Sequence, residues 1–322
     1  MTWMVAVFIV IFAISLWLII EGAEKFTDGL LEASAAFGIS SFTLGFLFNG
    51  FDPDNLAVGI AGAIQGLPGI SMGTAIGAAV FLLTFAAGIT AILWPLRVDI
   101  PRRLIIVTLL SPLPMAALGL DGVLSRSDGT VLLIVSLALI GYVVRTTRWH
   151  PLFKLDEKQI EEMVAARERP RWWAPAVMIG GTIAIVIGAA LFNWSVRGIL
   201  RALDWDETMF GMIMVAAAVS VEEIFRMFVP ARQGRAEVVI GNIMGTILFF
   251  VLFNVGVIAL IHPLPLERSV LGLYWSCMMA ALVAISIFLW RRRIGRTAGG
   301  LLMGGYVIYL GLAVGGGYQL TG

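Results

Sequence analysis

The sequence predicts an all-α, polytopic membrane protein with ten transmembrane helices, arranged as two inverted repeats of five helices each. Three observations support this fold class: an apolar content of 59% with a mean hydropathy of +0.94, ten separable apolar stretches, and a motif repeated at an offset of 168 residues. Charged residues make up only 13% of the chain, about half the ~25% of a soluble domain. A water-soluble enzyme is therefore excluded.

A transmembrane helix needs about 20 apolar residues, so the 322-residue chain has enough for nine or ten. Breaking the hydropathy pattern at charges, Pro and Gly gives spans at roughly 3–21, 37–64, 70–95, 103–120, 129–146, 173–194, 208–231, 236–261, 269–290 and 298–317. The segment 22–36 is either a re-entrant or interfacial helix or the ends of the first two spans. A first five-helix repeat over 1–146, a cytoplasmic linker over 147–172 and a second, inverted repeat over 173–322 follow from this pattern.

Basic residues are distributed unevenly between alternate loops. With the N-terminus outside, the inner loops hold seventeen Lys and Arg residues and the outer loops hold four. Because cytoplasmic loops carry the excess of basic residues in membrane proteins, we expect the N-terminus outside and the midpoint loop in the cytoplasm. An odd number of spans in each half gives the two halves opposite orientations.

The internal repeat aligns 49–91 with 217–259 without a gap. Both copies contain an Ala-x-Gln-Gly tetrapeptide, at 63–66 and at 231–234, followed seven residues later by Gly-x-x-x-Gly. Each copy covers the second and third helices of its half, so the copies are inverted. Inverted repeats are typical of secondary transporters, whose substrate sites lie near the bilayer midplane where the repeats meet.

Ionisable residues are concentrated at that meeting point. Asp52 and Asp54 fall in the second span, and Glu222, Glu223 and Arg226 fall in the seventh. Unpaired, these five groups would cost roughly 12–17 kcal/mol, at ~2.5–3.5 kcal/mol each on insertion scales. We therefore expect them to be paired or hydrated and to serve a function.

The chemistry of this region favours a hard cation. Gly50 and Pro53 interrupt the second span and free backbone carbonyls, which a bilayer tolerates only around an enclosed or wet cavity. Carbonyl and carboxylate oxygens are the ligands of Ca²⁺, Mg²⁺ and Na⁺. The two histidines lie near span ends and Cys277 is distant, which argues against a soft metal. No intramembrane protease motif is present, so we expect neither an enzyme nor a cofactor other than the transported cations.

At these residues the chain resembles the calcium/cation antiporter superfamily. Its sodium/calcium exchangers carry two inverted repeats of the type Gly-Thr-Ser-x-Pro-Glu, each followed by a run ending Gly-Asn-x-x-Gly-Ser. The family's spacing of eighteen residues between the Glu and the Gly of Gly-Asn recurs from Glu223 to Gly241 and from Asn55 to Gly73. The chain is identified as a divergent member of this superfamily.

The resemblance and the acidic residues beside the motif indicate a set of oxygen-bearing ion ligands. The candidates are Glu223, Asn55, Asp54, Asp52, Glu222, Asn242, Thr74, Ser220 and Thr246. Glu223 matches the family's second cation-binding glutamate, whereas Asn55 stands where the first would be. Either Asp54 enters the site through a bulge, or the central pair is Asn55 with Glu223; the expected metal ligands are Glu223, Asp54 and Asn55.

Alternative roles remain open for three residues. Arg226 follows Glu222 by four positions and Glu223 by three, on a common helix face. It is either an internal counter-ion of the site or the partner of Glu222 in a structural ion pair. Asp52 has a second role as the N-cap of a half-helix that begins at Pro53, and Thr246 as a donor to its own helix.

The expected function is secondary active antiport of a cation, first of all Ca²⁺, against Na⁺ or H⁺ by alternating access. The alternatives are an Mg²⁺ or monovalent-cation exchanger on the same fold, and a transport-inactive homologue that acts as a membrane scaffold. Inorganic cations and the lipid bilayer are the expected partners, and the net charge of +1 gives no reason to expect nucleic acid. We expect an integral protein of the cell (inner) membrane; its oligomeric state does not follow from the sequence.

Overall fold

The computed structural model describes residues 2–34, 46, 52–147, 172–203 and 206–319. The helices of the first half are α1 (Thr2–Ser34), α2 (Pro53–Ile64), α3 (Pro68–Leu93), α4 (Arg102–Asp121) and α5 (Arg126–Thr147). Those of the second half are α6 (Trp173–Leu203), α7 (Glu207–Val219), α8 (Val221–Arg232), α9 (Ala236–Ile261), α10 (Val270–Trp290) and α11 (Arg296–Gln319).

Each of the ten predicted spans contains helix in its described part, with interruptions at residues such as Asp52 and Ser220. Within the described residues, seven helices are long and apolar enough to cross a bilayer: α3, α4, α5, α6, α9, α10 and α11. The first span is the apolar part of α1, and α7 and α8 together make up the seventh. The predicted all-α, polytopic membrane fold is confirmed.

The segment after the first span continues α1, which runs without a break to Ser34. The separate re-entrant or interfacial helix is therefore wrong, and the interpretation of this segment as the end of the first span is confirmed as far as Ser34. Of the predicted second span, 37–51 lies outside the described residues apart from Phe46, and this includes Gly50. Most of the predicted linker, 148–171, also lies outside them.

Two short antiparallel ladders show how the halves are related. β1 (Leu96–Arg97), which follows α3, pairs with β4 (Arg293–Ile294), and β2 (Val123–Leu124) pairs with β3 (Leu264–Pro265), which follows α9. β1 and β3 are 168 residues apart in the chain, and β2 and β4 are 170 apart, so each pair is repeat-equivalent. The first ladder precedes α4 and the second follows it, so they lie at opposite ends of that helix. Each ladder thus joins one strand from each half, and repeat-equivalent strands belong to different ladders at opposite ends of α4. An inverted repeat requires this arrangement.

Glycine contacts follow the same symmetry. A Cβ atom on Gly88 of α3 would lie 2.9 Å from the carbonyl oxygen of Gly299 in α11, and one on Gly129 of α5 would lie 2.7 Å from that of Gly256 in α9. Gly88 and Gly256 are repeat-equivalent. Only glycine permits helix backbones to approach this closely in a bilayer, so these residues fix the packing of both repeats.

The centre of the fold is formed by α3 and α9. About four-fifths of their most apolar segments is buried (78% and 83%), against 22–39% for α4, α5, α6, α10 and α11. The outer helices expose large apolar side chains such as Leu301 and Ile134, as expected for a surface that faces lipid. Polar side chains on α3 and α9 are therefore held far from bulk water.

Candidate functional site

Two helix boundaries at repeat-equivalent positions, termed the helix breaks, define the site. α2 begins at Pro53, directly after Asp52 in an extended conformation (φ −117°, ψ 94°). In the other repeat Ser220 (φ −106°, ψ 9°) separates α7 from α8. Proline suits the first position of a helix because its φ is already helical and it has no N–H to satisfy. The breaks place Asp52 and Ser220 in the interior, where both are fully buried.

The carboxylate of Asp52 does not cap α2. It makes no hydrogen bond to the backbone N–H groups of that helix; instead, Nδ2 of Asn55 donates to its Oδ2 at 2.7 Å. The predicted capping role is therefore wrong. The physical reason is that both oxygens are directed elsewhere: Oδ2 accepts from the side-chain amide one turn along the helix, and Oδ1 lies 3.5 Å from Nη1 of Arg226.

Arg226 bridges the two repeats. Its Nη1 donates to Oε1 of Glu223 at 3.0 Å and lies 3.5 Å from Oδ1 of Asp52. Both carboxylates are fully buried, while 17% of the arginine side chain is exposed. A buried carboxylate needs a charged partner of this kind. The side chain of Glu222 lies outside the described residues, so its ion pair with Arg226 stays a prediction.

The other oxygen of Glu223 faces α9. Asn242 donates from Nδ2 to Oε2 of Glu223 at 2.7 Å, and the hydroxyl of Thr246 lies 3.4 Å from Oδ1 of Asn242. Thr246 therefore contacts a site side chain, and the structure does not support the alternative that it bonds to its own helix backbone. Together these contacts form the polar chain, which runs from Asn55 through Asp52, Arg226 and Glu223 to Asn242.

Within the described residues, Thr74 makes no hydrogen bond to this chain but packs against α2, the helix that carries Asn55. Its hydroxyl donates to the carbonyl oxygen of Ser71 within α3 at 2.8 Å. A Cβ atom on Gly59 would lie 2.8 Å from that hydroxyl, so Thr74 faces α2. Thr74 belongs to a π-helical turn, Gly73–Gly77, a feature often found at functional sites.

Asp54, Asn55 and Ser220 are fully buried at the two breaks. Oδ1 of Asn55 and Oγ of Ser220 have no hydrogen-bond partner among the described residues. Buried polar atoms are nearly always satisfied, and neutral oxygens can be satisfied by coordinating a hard cation. The donor set therefore fits a cation as cargo.

The described part of the chain holds no cluster of three or more His, Cys, Asp or Glu side chains arranged as a metal site. The guanidinium of Arg226 lies between Asp52 and Glu223 instead. The assignment of Glu223, Asp54 and Asn55 as cation ligands stays a prediction.

Sequence reasoning missed Asn193 of α6. This residue is fully buried, and its Nδ2 donates to the carbonyl oxygens of Val58 at 3.2 Å and Ala189 at 3.0 Å. The first of these bonds joins α6 to α2, close to the break at Pro53. A lone asparagine within an apolar span was the available signal, since polar residues inside a membrane are costly and tend to be functional.

Comparisons with known proteins agree with this architecture. The profile of the sodium/calcium exchanger protein family matches residues 7–145 and 173–315. An uncharacterized membrane protein of Methanocaldococcus jannaschii is 27% identical over 304 residues, which cover 92% of this chain and 95% of the relative. The inner membrane protein YrbG of Escherichia coli is 24% identical over 309 residues, covering 93% and 94%.

Among solved structures, the sodium-calcium exchanger NCX_Mj soaked with Na⁺ and Sr²⁺ superposes with a TM-score of 0.67 at 25% sequence identity. The superposition covers 95% of this chain and 98% of that chain. A match of this length includes both repeats. The chain belongs to the sodium/calcium exchanger protein family.

Proposed function

We propose that the protein is a secondary active antiporter that exchanges Ca²⁺ for Na⁺ or H⁺ by alternating access. Membership of an exchanger family supports cation antiport. The observation that carries the proposal is the polar chain, in which buried oxygen ligands from the two inverted repeats converge on one another. Secondary transporters bind their substrates at such a junction.

Glu223 is the central ligand of this proposal, with Asp54, Asn55 and Asp52 opposite it. Asn242, Thr74, Ser220 and Thr246 supply neutral oxygens, and Glu222 adds an acidic residue at the same break. Two cations that need the same few oxygens cannot bind together, so one leaves before the other enters. Exchange follows from that competition.

The proposed setting is the cell (inner) membrane, with the N-terminus outside and the loop between the repeats in the cytoplasm. The uneven distribution of basic residues supports this orientation. In this orientation, the ladder between β1 and β4 faces the cytoplasm and the ladder between β2 and β3 faces the outside.

Transport in proteoliposomes tests the proposal. Vesicles loaded with radiolabelled calcium should release it when Na⁺ or H⁺ is supplied outside, and Glu223→Gln should abolish that release because the central carboxylate is lost. Glu267→Gln is the matched control: it makes the same chemical change at an exposed loop residue and should transport normally. If the Glu223→Gln variant released calcium as fast as the Glu267→Gln variant, with both at the rate of the unsubstituted protein, the site assignment would be refuted.

A second candidate, an exchanger of Mg²⁺ or of a monovalent cation, is favoured by one observation. Arg226 already places a positive charge between Asp52 and Glu223, which weakens the field available to a divalent ion. Release driven by Na⁺ from vesicles loaded with labelled magnesium, but not from those loaded with calcium, would select this alternative.

A further inference from the structure

Arg226 occupies the centre of the polar chain, and only one repeat carries it. The equivalent position in the first repeat is Val58. One nitrogen, Nη1, lies within ion-pair distance of Asp52 from the first repeat and of Glu223 from the second. The guanidinium is therefore placed between the two inverted halves, where an exchanger of this architecture binds its cargo.

The surroundings of this nitrogen match a cation site. Oδ1 of Asp52 and Oε1 of Glu223 face the guanidinium, while Oδ2 and Oε2 accept hydrogen bonds from the amides of Asn55 and Asn242. Three of the four carboxylate oxygens thus accept a hydrogen bond, and the fourth, Oδ1 of Asp52, lies within ion-pair distance of the guanidinium. The chain itself therefore supplies one positive charge to the two buried carboxylates.

We propose that Arg226 is a tethered counter-cation, which takes the place of one exchanged monovalent ion during each transport cycle. This inference rests on the proposed function and specifies how its coupling is set. When the cargo leaves, the guanidinium pairs with Asp52 and Glu223; when the cargo binds, it displaces the guanidinium from them. The guanidinium moves with the protein and is released on neither side of the membrane. Each cargo ion is therefore exchanged for one monovalent ion fewer than in a protein that lacks this arginine.

Arginine suits this role physically. Its charge persists at every physiological pH, and its long side chain can withdraw while the backbone stays in place. Arg226 is also the member of the ion pair with partial exposure, at 17%, whereas both carboxylates are fully buried. The proposal therefore assigns the movement to Arg226, the least buried of the three groups, when a cation competes for its partners.

The coupling ratio provides the first test. In proteoliposomes with opposed gradients of Ca²⁺ and Na⁺ or H⁺ and a clamped membrane potential, the gradient at which net calcium flux is zero gives the number of counter-ions per calcium. We expect Arg226→Gln to raise this number by one relative to the unsubstituted protein. Arg232→Gln, the same change at an exposed residue of the same helix, should leave it unaltered.

The outcomes separate the two proposals. Coupled flux that depends on Glu223, with equal ratios for the unsubstituted protein and Arg226→Gln, would overturn the tethered counter-cation and leave the antiporter standing. Absence of coupled flux in the unsubstituted protein would overturn the antiporter, and the tethered counter-cation with it.

A second test needs no variant, so it decides the matter even if Arg226→Gln does not fold. A dicarbonyl reagent that modifies accessible guanidinium groups is applied to the detergent-solubilised protein with and without Ca²⁺, and labelled arginines are quantified by mass spectrometry. Displacement by the cation should speed labelling of Arg226 several-fold and leave Arg232 unaffected. Labelling of Arg226 that is unchanged or slowed by Ca²⁺ would refute the displacement.

Discussion

The crossing of α3 and α7 at Gly73 provides the sharpest structural prediction. A Cβ atom at this position would lie 2.2 Å from the carbonyl oxygen of Gly211 and 2.4 Å from its carbonyl carbon. Ordinary contact begins at 3.4 Å, so Gly73→Ala requires the two helices to separate by about 1.2 Å, the difference between 3.4 and 2.2 Å. No side-chain rotation can relieve the contact, because both atoms belong to a backbone.

Overpacking of this kind costs about 1–3 kcal/mol, whereas alanine is otherwise the better helix former by about 1 kcal/mol. We therefore expect Gly73→Ala to be destabilised by up to about 2 kcal/mol. Transport should also fall, since Thr74 is the next residue along α3 and α7 ends at the break beside Ser220.

The measurement is thermal unfolding in detergent together with calcium release from proteoliposomes. Gly300→Ala is the control, because this exposed glycine of α11 has no atom within 4 Å of its Cβ position. It should be as stable as the unsubstituted protein, or slightly more so. If Gly73→Ala unfolds at the same temperature as Gly300→Ala and transports equally well, the helices are not held at the distance described.

Three further predictions concern contacts within the described fold. Asn242→Leu removes a 2.7 Å hydrogen bond to the buried carboxylate of Glu223. Because a bond to a charged group contributes about 1.5–3 kcal/mol, transport assays should show at least a tenfold loss of rate. Transport at the wild-type rate would contradict the polar chain. Asn193→Ala removes the bond from α6 to a carbonyl of α2; it should lower the unfolding temperature, and an unchanged value would show that this bond contributes nothing. Cysteines at Arg97 and Arg293, which are register partners, should form a disulfide because antiparallel partners lie within its reach, and their failure to crosslink would contradict the ladder.

Hydropathy was sufficient to predict the helices and their order. Each span depends on the composition of about 20 consecutive residues, which is local information, and the ends of α9 at Ala236 and Ile261 match the predicted bounds. The repeat was equally accessible, because it appears as matching residues at a fixed offset. The sequence left open whether 22–36 forms a separate helix or continues the first span, and the structure shows that α1 continues to Ser34.

The candidate site was predictable as a set of residues but not as a set of contacts. Motif spacing singled out Glu223 and Asn242, which do form a hydrogen bond. Helical spacing allowed Arg226 to pair with either neighbouring glutamate. It did not indicate the ion pair between Arg226 and Asp52, which lies 174 positions earlier in the chain.

The sequence by itself determined the membrane-spanning fold class, the inverted repeat and the acidic residues at its centre, because hydropathy and repetition act along the chain. Only the tertiary structure decided that Asp52 accepts from Asn55 instead of capping α2, that one guanidinium bridges the repeats, and that Asn193 joins α6 to α2. These contacts depend on which distant side chains meet when two helix breaks are packed together. In a medium without water, each buried polar group takes whatever partner the packing brings within reach.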